Sequence, residues 1–515
     1  MKIGEIVSAS VSGGLVAKLA LEEPEDLRIG YPVIVEGTRY SFYCLVHDIE
    51  NQELDLAERL AGSGLQESIL PEASHEGFSG KIFYSKARLR PIQLIDLETG
   101  ALSEPETIPP YFSEARHALR EDVEQIYEVT EGSAPLGTIR GVEKFYVHLD
   151  FEKLTEKPFG IFGRTGMGKT ILNKLVCTAI LARDVASVLI FDMHGEYGVH
   201  SRGRDATEGL KFYHPHKVEL FSLDPKVKVG RPFFLNPAEI QPEDLIVALQ
   251  EQLNENMVDA LYAIHRERGG RDLLTAIRDR DVLTQDENTV HVATLQALKR
   301  RIKRLERFPF VRSGGTDAFA QLIALVKQGK SIVLDFGEFG TDSMAYLFVA
   351  SILARRLFDL YTEENEKYPR LVLFLEEAHK FLAPEVAHYT IFSRLARETR
   401  KFNLILALVD QRPARIDEEV RSQLANRLVL SLKETSDVES ALAGVPDKGM
   451  WTNLVSAIPA RTVAIIGDAI RVPTLVEVMD YTMVNVKEHI TGLEKSPTEI
   501  ELDEIEKAAD KVFGG

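Results

Sequence analysis

Cysteine is almost absent from this chain of 515 residues: Cys44 and Cys177 are the only two. With no metal-ligand spacing and no pairing framework, a zinc module and a disulfide scaffold are both excluded, and a reducing interior is expected. No apolar run reaches the roughly 20 residues a membrane helix needs, so no spanning segment is expected. The start, Met1-Lys2-Ile3-Gly4, lacks a basic stretch followed by an apolar core. That argues against a signal peptide and for a cytoplasmic protein. An excess of basic charge is also missing, since the net charge is −18 at pH 7. This argues against a protein coated in nucleic acid, but a local basic channel remains open because only the contacting surface must be positive. Internal repeats and low-complexity tracts are absent as well.

What is present is apolar substance, 44% of the residues, enough for real cores. The length implies about two to four structural units. They are organised around residues 163–170, Gly-Arg-Thr-Gly-Met-Gly-Lys-Thr. This run fits G-x-x-x-x-G-K-[ST], the phosphate-binding loop of nucleotide hydrolases. An apolar run at 159–162 before it reads as a buried strand, and residues 171–181 after it read as a helix. A chance glycine loop is the alternative, and the strand and helix on either side weigh against it. In the binding reading, backbone N–H groups from Gly163, Arg164, Thr165, Gly166, Met167, Gly168, Lys169, Thr170 and Ile171 surround the phosphates. Lys169 reaches the β- and γ-phosphates of ATP, and the Thr170 hydroxyl ligates Mg²⁺.

The rest of the chain divides around that loop. Residues 1–110 hold short β-rich runs at 3–9, 15–21, 32–36, 40–49, 80–89 and 93–96, separated by turn residues, and predict a small barrel. It serves either as an adaptor for a partner or as a stabilising appendage. A linker follows over 111–145, with helical character at 113–127. Residues 146–236 and 329–484 carry apolar strand candidates between helices, at 159–162, 187–191, 332–336, 371–375, 404–409, 427–432 and 461–466. Such runs predict an α/β core with a parallel sheet covered on both faces. Between the two parts, 237–328 reads as an inserted helical bundle with helices at 242–249, 256–268, 292–308 and 317–327. A helical tail is expected over 485–515, with a surface helix at 499–513.

Hydrolysis needs carboxylates beyond the loop. The apolar run 371–375 ends in Glu376-Glu377. Glu376 is placed to support Mg²⁺, through water, and Glu377 to orient or deprotonate the attacking water. The alternative is an acidic helix N-terminus, which the helix dipole favours. Asp192-Met-His-Gly-Glu-Tyr197 closes the run 187–191 and offers Asp192, and less strongly Glu196, to the metal or the water; an ordinary turn is the other reading. Arg394, Arg397 and Arg400 recur at threes on a helical stretch, 389–401. One of them, with Arg400 preferred, is a candidate to complete a neighbouring subunit's site, although each alone suits a surface ion pair. Gln411, at the end of the run 404–409, is a candidate sensor of the γ-phosphate. Arg202 and Arg204, and the basic helix with Lys299, Arg300, Arg301, Lys303, Arg304 and Arg307, are basic clusters that suit phosphate contacts, against a merely solvated face.

In order and spacing, these motifs resemble the HerA family within the HerA/FtsK motor ATPases. The residues that carry the resemblance are 163–170, 192–197, 371–379 with Glu-Glu-Ala-His, 397–402 and Val409-Asp-Gln-Arg-Pro413. The resemblance implies a RecA-like core behind a HAS-type barrel and a homo-hexameric ring that hydrolyses ATP and drives double-stranded DNA through its pore. It also implies a nuclease partner of the NurA type, or another effector, on the N-terminal domain. Thr399 and Asn403 stand where the family pattern expects glycines, and Asp410 stands where it expects threonine. A nucleotide-gated scaffold that recruits a nuclease without processive movement is the alternative function. A conjugation-type coupling ATPase is a third, and such proteins commonly carry membrane segments.

Overall fold

The computed structural model describes residues 2–20, 24–53, 83–142, 144–201, 207–224, 226, 230–280, 291–313, 318–363, 367–398 and 402–491. Two compact units emerge. One comprises Met1–Thr130, Pro135–His148 and Val445–Met479, the other Glu131–Ala134, Leu149–Gly444 and Asp480–Gly515.

The first unit opens with β1 (Lys2–Ser10), β2 (Gly14–Leu19), β3 (Pro32–Glu36), β4 (Tyr40–Glu53), β5 (Phe83–Asp96), β6 (Leu102–Ser103) and β7 (Glu114–His117). Six of these run antiparallel in the order β2-β1-β7-β3-β4-β5, and β2 pairs with β5 to close a barrel; β6 is appended to β5. Alternate side chains turn inward, so Ile3, Leu15, Val33, Phe42, Cys44 and Leu89 share one buried core. From Phe83 on, the two runs expected at 80–89 and 93–96 form the single strand β5; residues 80–82 lie outside the described residues. Pro91 lies within it, opposite Cys44, where the register slips between Tyr43 and Cys44. A residue without an N–H is tolerated at such an irregularity. The helical reading of 113–127 also changes. Glu114–His117 is the strand that closes the barrel between β1 and β3, and only Arg120–Ile126 is helical. Pairing on both sides overrides the weak helical preference of Glu-Ala-Arg-His. Next come β8 (Ser133–Ile139) and β9 (Tyr146–Asp150).

The second unit contains β10 (Phe159–Phe162), β11 (Ser187–Asp192), β12 (Val218–Ser222), β13 (Arg231–Pro232), β14 (Ser331–Asp335), β15 (Leu371–Glu376), β16 (Leu404–Asp410) and β17 (Asn426–Leu430). Their order is β13-β12-β14-β11-β15-β16-β10-β17, and every pairing among β10 to β16 and with β17 is parallel. The central strands are buried end to end, which is why they read as unbroken apolar runs. Strand β12 escapes that reading because Glu219 interrupts it. Two strands return to the first unit: β18 (Thr462–Gly467) and β19 (Thr474–Val478) form an antiparallel hairpin, and β19 pairs with β8.

The segment expected as a helical bundle holds Pro242–Leu249, Glu255–Glu267, Leu273–Asp279, Val292–Leu305 and Ala318–Lys327. Leu273–Asp279 was not anticipated; its cap is Asp272, whose carboxylate accepts from Thr275 N at 2.8 Å. Buried Asp244 accepts from Arg355 Nη2 at 2.7 Å, which ties the first of these helices to Ser343–Thr362. The expected tail helix at 499–513 lies outside the described residues. Among the described residues, no helix is long and apolar enough to cross a membrane. Cys44 and Cys177 are free and buried.

Candidate active site

Parallel register brings four strand ends together. Phe162 at the end of β10 stands beside Asp410 of β16, Val409 beside Glu376 of β15, and β11 lies next to β15. Loops leaving these carboxyl ends share one edge of the sheet, where ligands bind in open α/β folds. One strand, β16, separates the phosphate loop from the paired acids.

The loop leaves β10 at Gly163. A Cβ here would lie 2.8 Å from Leu430 Cβ, so only glycine lets the chain pass β17 this closely. Gly163 N donates to Asp410 O at 3.1 Å and Arg164 N to Ser431 O at 3.2 Å. Thr165 and Gly166 are exposed at the tip, followed by Met167. Gly168 caps the helix Lys169–Ala182 at φ 97°, a conformation that favours glycine, and offers no side chain to the first-turn amides. Those amides, those of Lys169, Thr170 and Ile171 included, are therefore available to an anion at the positive end of the helix dipole. The helix itself is anchored from below. Buried Lys174 donates to Thr207 Oγ1 at 2.6 Å and Glu208 O at 3.2 Å. Burial draws its pKa down to about 8, although Glu196, Asp192 and Glu208 favour its charge.

The acids are cross-linked. Glu376 Oε1 accepts from Tyr197 OH at 2.6 Å, and Tyr197 OH accepts from Asn173 Nδ2 at 3.2 Å. Burial pushes Glu376 up to about 7; Asp192 and Glu196 add to this, while Tyr197 and Lys169 oppose it. Glu196 Oε2 accepts from Thr170 Oγ1 at 3.2 Å. Asp192 is buried, with both oxygens committed: Oδ1 accepts from Glu196 N and Oδ2 from Tyr197 N, each at 2.9 Å. It therefore shapes the turn that sets Glu196 on Thr170 and Tyr197 on Glu376. Burial raises its pKa to about 6 against those two amides.

Glu377 follows at φ 50°. The left-handed region costs a non-glycine residue about 1–2 kcal/mol and persists where the surroundings hold it. Gln411 bridges the two sides. Its Oε1 accepts from Thr165 Oγ1 at 2.9 Å, and its Nε2 lies 3.4 Å from Glu377 Oε2. Asp410, fully buried, accepts from His379 N at 2.7 Å, His379 Nδ1 at 2.9 Å and Arg412 N at 2.6 Å. Burial disfavours its charge, but the bonds from His379 and Arg412 outweigh that and hold its pKa below the ordinary value. Neither His379 nor Tyr197 is assigned a role by sequence. Both sit inside recognised motifs, yet nothing in the order of residues says what they touch.

The arginines divide. Arg394 pairs with Glu398 at 3.4 Å and lies over the Phe358 ring, and Arg397 pairs with Glu419 at 3.1 Å. Arg400 lies outside the described residues, as do Arg202 and Arg204. On the basic helix, Lys299 donates to Arg280 O and Arg304 to Asp342, while Arg300 and Lys303 are exposed.

The arrangement suits a nucleotide with Mg²⁺. Among the described residues no cluster of three or more His, Cys, Asp or Glu stands ready to cage a metal. Mg²⁺ carried by a nucleotide takes only one or two protein oxygens and fills its shell with phosphate and water. The Thr170 hydroxyl beside Glu196, with Glu376 behind it, fits that donor set.

Residues 134–357 match the family described as "Helicase HerA, central domain". That span includes the phosphate loop and ends before Glu376. The chain is 24% identical over 420 residues to "DNA double-strand break repair helicase HerA" of Pyrococcus furiosus, covering 73% of this chain and 75% of that one. It is 23% identical over 501 residues to the protein of the same description from Sulfolobus acidocaldarius, covering 93% of each. Among solved structures, the bacterial conjugative coupling protein TrwB superposes with a TM-score of 0.49 at 13% identity, over 71% of this chain and 93% of that one.

Proposed function

We propose that the chain is a member of the HerA family and an ATP-driven translocase of double-stranded DNA, working as a homo-hexameric ring. The observation that carries this reading is the meeting of the phosphate loop, Gln411, Glu377 and the Tyr197–Glu376 pair at one edge of the sheet. First-turn amides and Lys169 hold the triphosphate. Thr170 and Glu376 would hold Mg²⁺, which would supply charge neutralisation at the β- and γ-phosphates. Glu377 orients a water and takes its proton as the oxygen bonds to the γ-phosphorus and the bond to ADP breaks. Gln411, bonded to both the loop and Glu377, reports the loss of phosphate. Asp192 positions these groups through its turn. Arg400 is the residue proposed to enter from the neighbouring subunit.

The partner reading concerns the barrel. Tyr111 and Phe112 are each 71% exposed and Ile108 is 45% exposed. Phe112 holds φ 64°, a conformation seldom adopted by a bulky side chain. Exposed aromatics held in this way suit a protein contact, and a nuclease acting on DNA ends is the partner proposed.

The test is ATP hydrolysis by the purified protein with and without duplex DNA. Stimulation by DNA, lost in Lys169→Ala and Glu377→Gln, is expected. Hydrolysis indifferent to DNA of every form would sink the motor reading. ATP-dependent displacement of a triplex strand separates movement from a nucleotide-gated scaffold.

A further inference from the structure

One residue joins three loops of the site. Asp410 ends β16, and its carbonyl accepts from Gly163 N, the first residue of the phosphate loop, at 3.1 Å. Its carboxylate accepts from Arg412 N at 2.6 Å, which fixes the turn carrying Gln411. The same carboxylate takes His379 N at 2.7 Å and His379 Nδ1 at 2.9 Å, which fixes the turn carrying Glu377. The side chain is 0% exposed, so none of these bonds competes with water.

The ring of His379 is bonded to Asp410 and passes near Glu377. An ionised carboxylate only accepts, so Nδ1 carries the proton and donates it to Asp410. The same Nδ1 lies 3.7 Å from Glu377 Oε2. Glu377 needs holding, because its backbone sits at φ 50°. Its other restraints are Lys380 N, which donates to Glu377 O at 2.9 Å, Ala378 N, which donates to Val409 O at 3.4 Å, and Gln411 Nε2, 3.4 Å from its carboxylate.

We propose that Asp410 and His379 form a positioning pair for hydrolysis: Asp410 holds His379 by both its amide and its ring, and so locks the turn that carries Glu377. The inference rests on the ATPase reading of the site and deepens it. The pair touches no phosphate in its own right. It keeps the water-orienting acid, the sensor Gln411 and the first loop glycine in one frame, so that the site reads the γ-phosphate as a unit. Threonine, the residue expected at this position by family pattern, has one side-chain oxygen and cannot accept from all three donors.

The test compares wild type with Asp410→Asn, His379→Ala and the double variant, measuring kcat and KM for ATP, affinity for a fluorescent ADP, and melting temperature. Each single change is expected to lower kcat about tenfold or more while KM and ADP affinity stay within about threefold, the pattern of a lost transition-state contact. The double variant is expected to fall no further than the worse single one, because the two residues act as one device. Should Asp410→Asn fail to fold, His379→Ala carries the same kcat-against-KM test alone. Single variants that turn over within about twofold of wild type, or losses that multiply in the double variant, overturn the positioning pair and leave the ATPase reading standing. A wild-type protein that hydrolyses no ATP overturns that reading, and the positioning role with it.

Discussion

The two sides of the site are built in opposite ways. The phosphate side is a stretch of consecutive residues, partly exposed, whose fittings are backbone amides and glycine conformations. The acid side is assembled from β11, β15, β16 and their turns, is largely buried, and is tied by side-chain bonds among Asp192, Tyr197, Glu376, Asp410 and His379. Holding a phosphate asks for donors that a helix end supplies by itself. Aiming a water at phosphorus asks for acids held against their own tendency to find solvent, and that takes neighbours from several strands.

The largest effects should separate these sides. Lys169→Ala should lose hydrolysis and nucleotide binding together, whereas Glu377→Gln should lose on the order of 10²–10⁴ in kcat and still bind ATP. Filter binding beside a phosphate-release assay checks the split; equal loss of binding in both would erase the comparison. Tyr197→Phe comes next. It removes the 2.6 Å bond to Glu376 and keeps the ring, and about a tenfold fall in kcat is expected with KM little changed.

A smaller effect concerns stability against pH. Burial lifts Glu376 from its ordinary 4.5 to about 7 in the folded chain. The unfolded chain therefore sheds this proton first, and folding stability falls as pH rises from about 4.5 to 7. Glu376→Gln removes that dependence. Without nucleotide, its melting temperature should match wild type near the acid end of the window and exceed it at pH 8. The smallest effect is expected of Thr165→Ala, which deletes the 2.9 Å bond to Gln411 at an exposed tip. A change in kcat within about threefold, read in the phosphate-release assay, fits a solvated hydrogen bond.

The same contrast explains what is legible in the sequence alone. Lys169, Thr170 and the loop glycines sit in one contiguous pattern whose strand and helix are local. The strands that deliver Glu376 and Gln411 were visible as apolar runs, because parallel strands are covered on both faces. Asp192 was visible as an acid at a strand end, but its commitment to the amides of Glu196 and Tyr197 depends on how the turn closes. The partnership of Asp410 with His379 joins residues 31 apart and leaves no local trace. In the barrel, Glu114–His117 has no β-like composition and becomes a strand only because β1 and β3 both pair with it.

The two buried thiols have a practical consequence. Burial lifts the pKa of both Cys44 and Cys177, so neither presents the thiolate that alkylating probes need. A cysteine placed on the surface of either unit would then be the reactive one, with no native residue removed first. Dye pairs or spin labels on the phosphate-loop helix and on the inserted helices could follow the motor through its cycle in an otherwise unaltered chain.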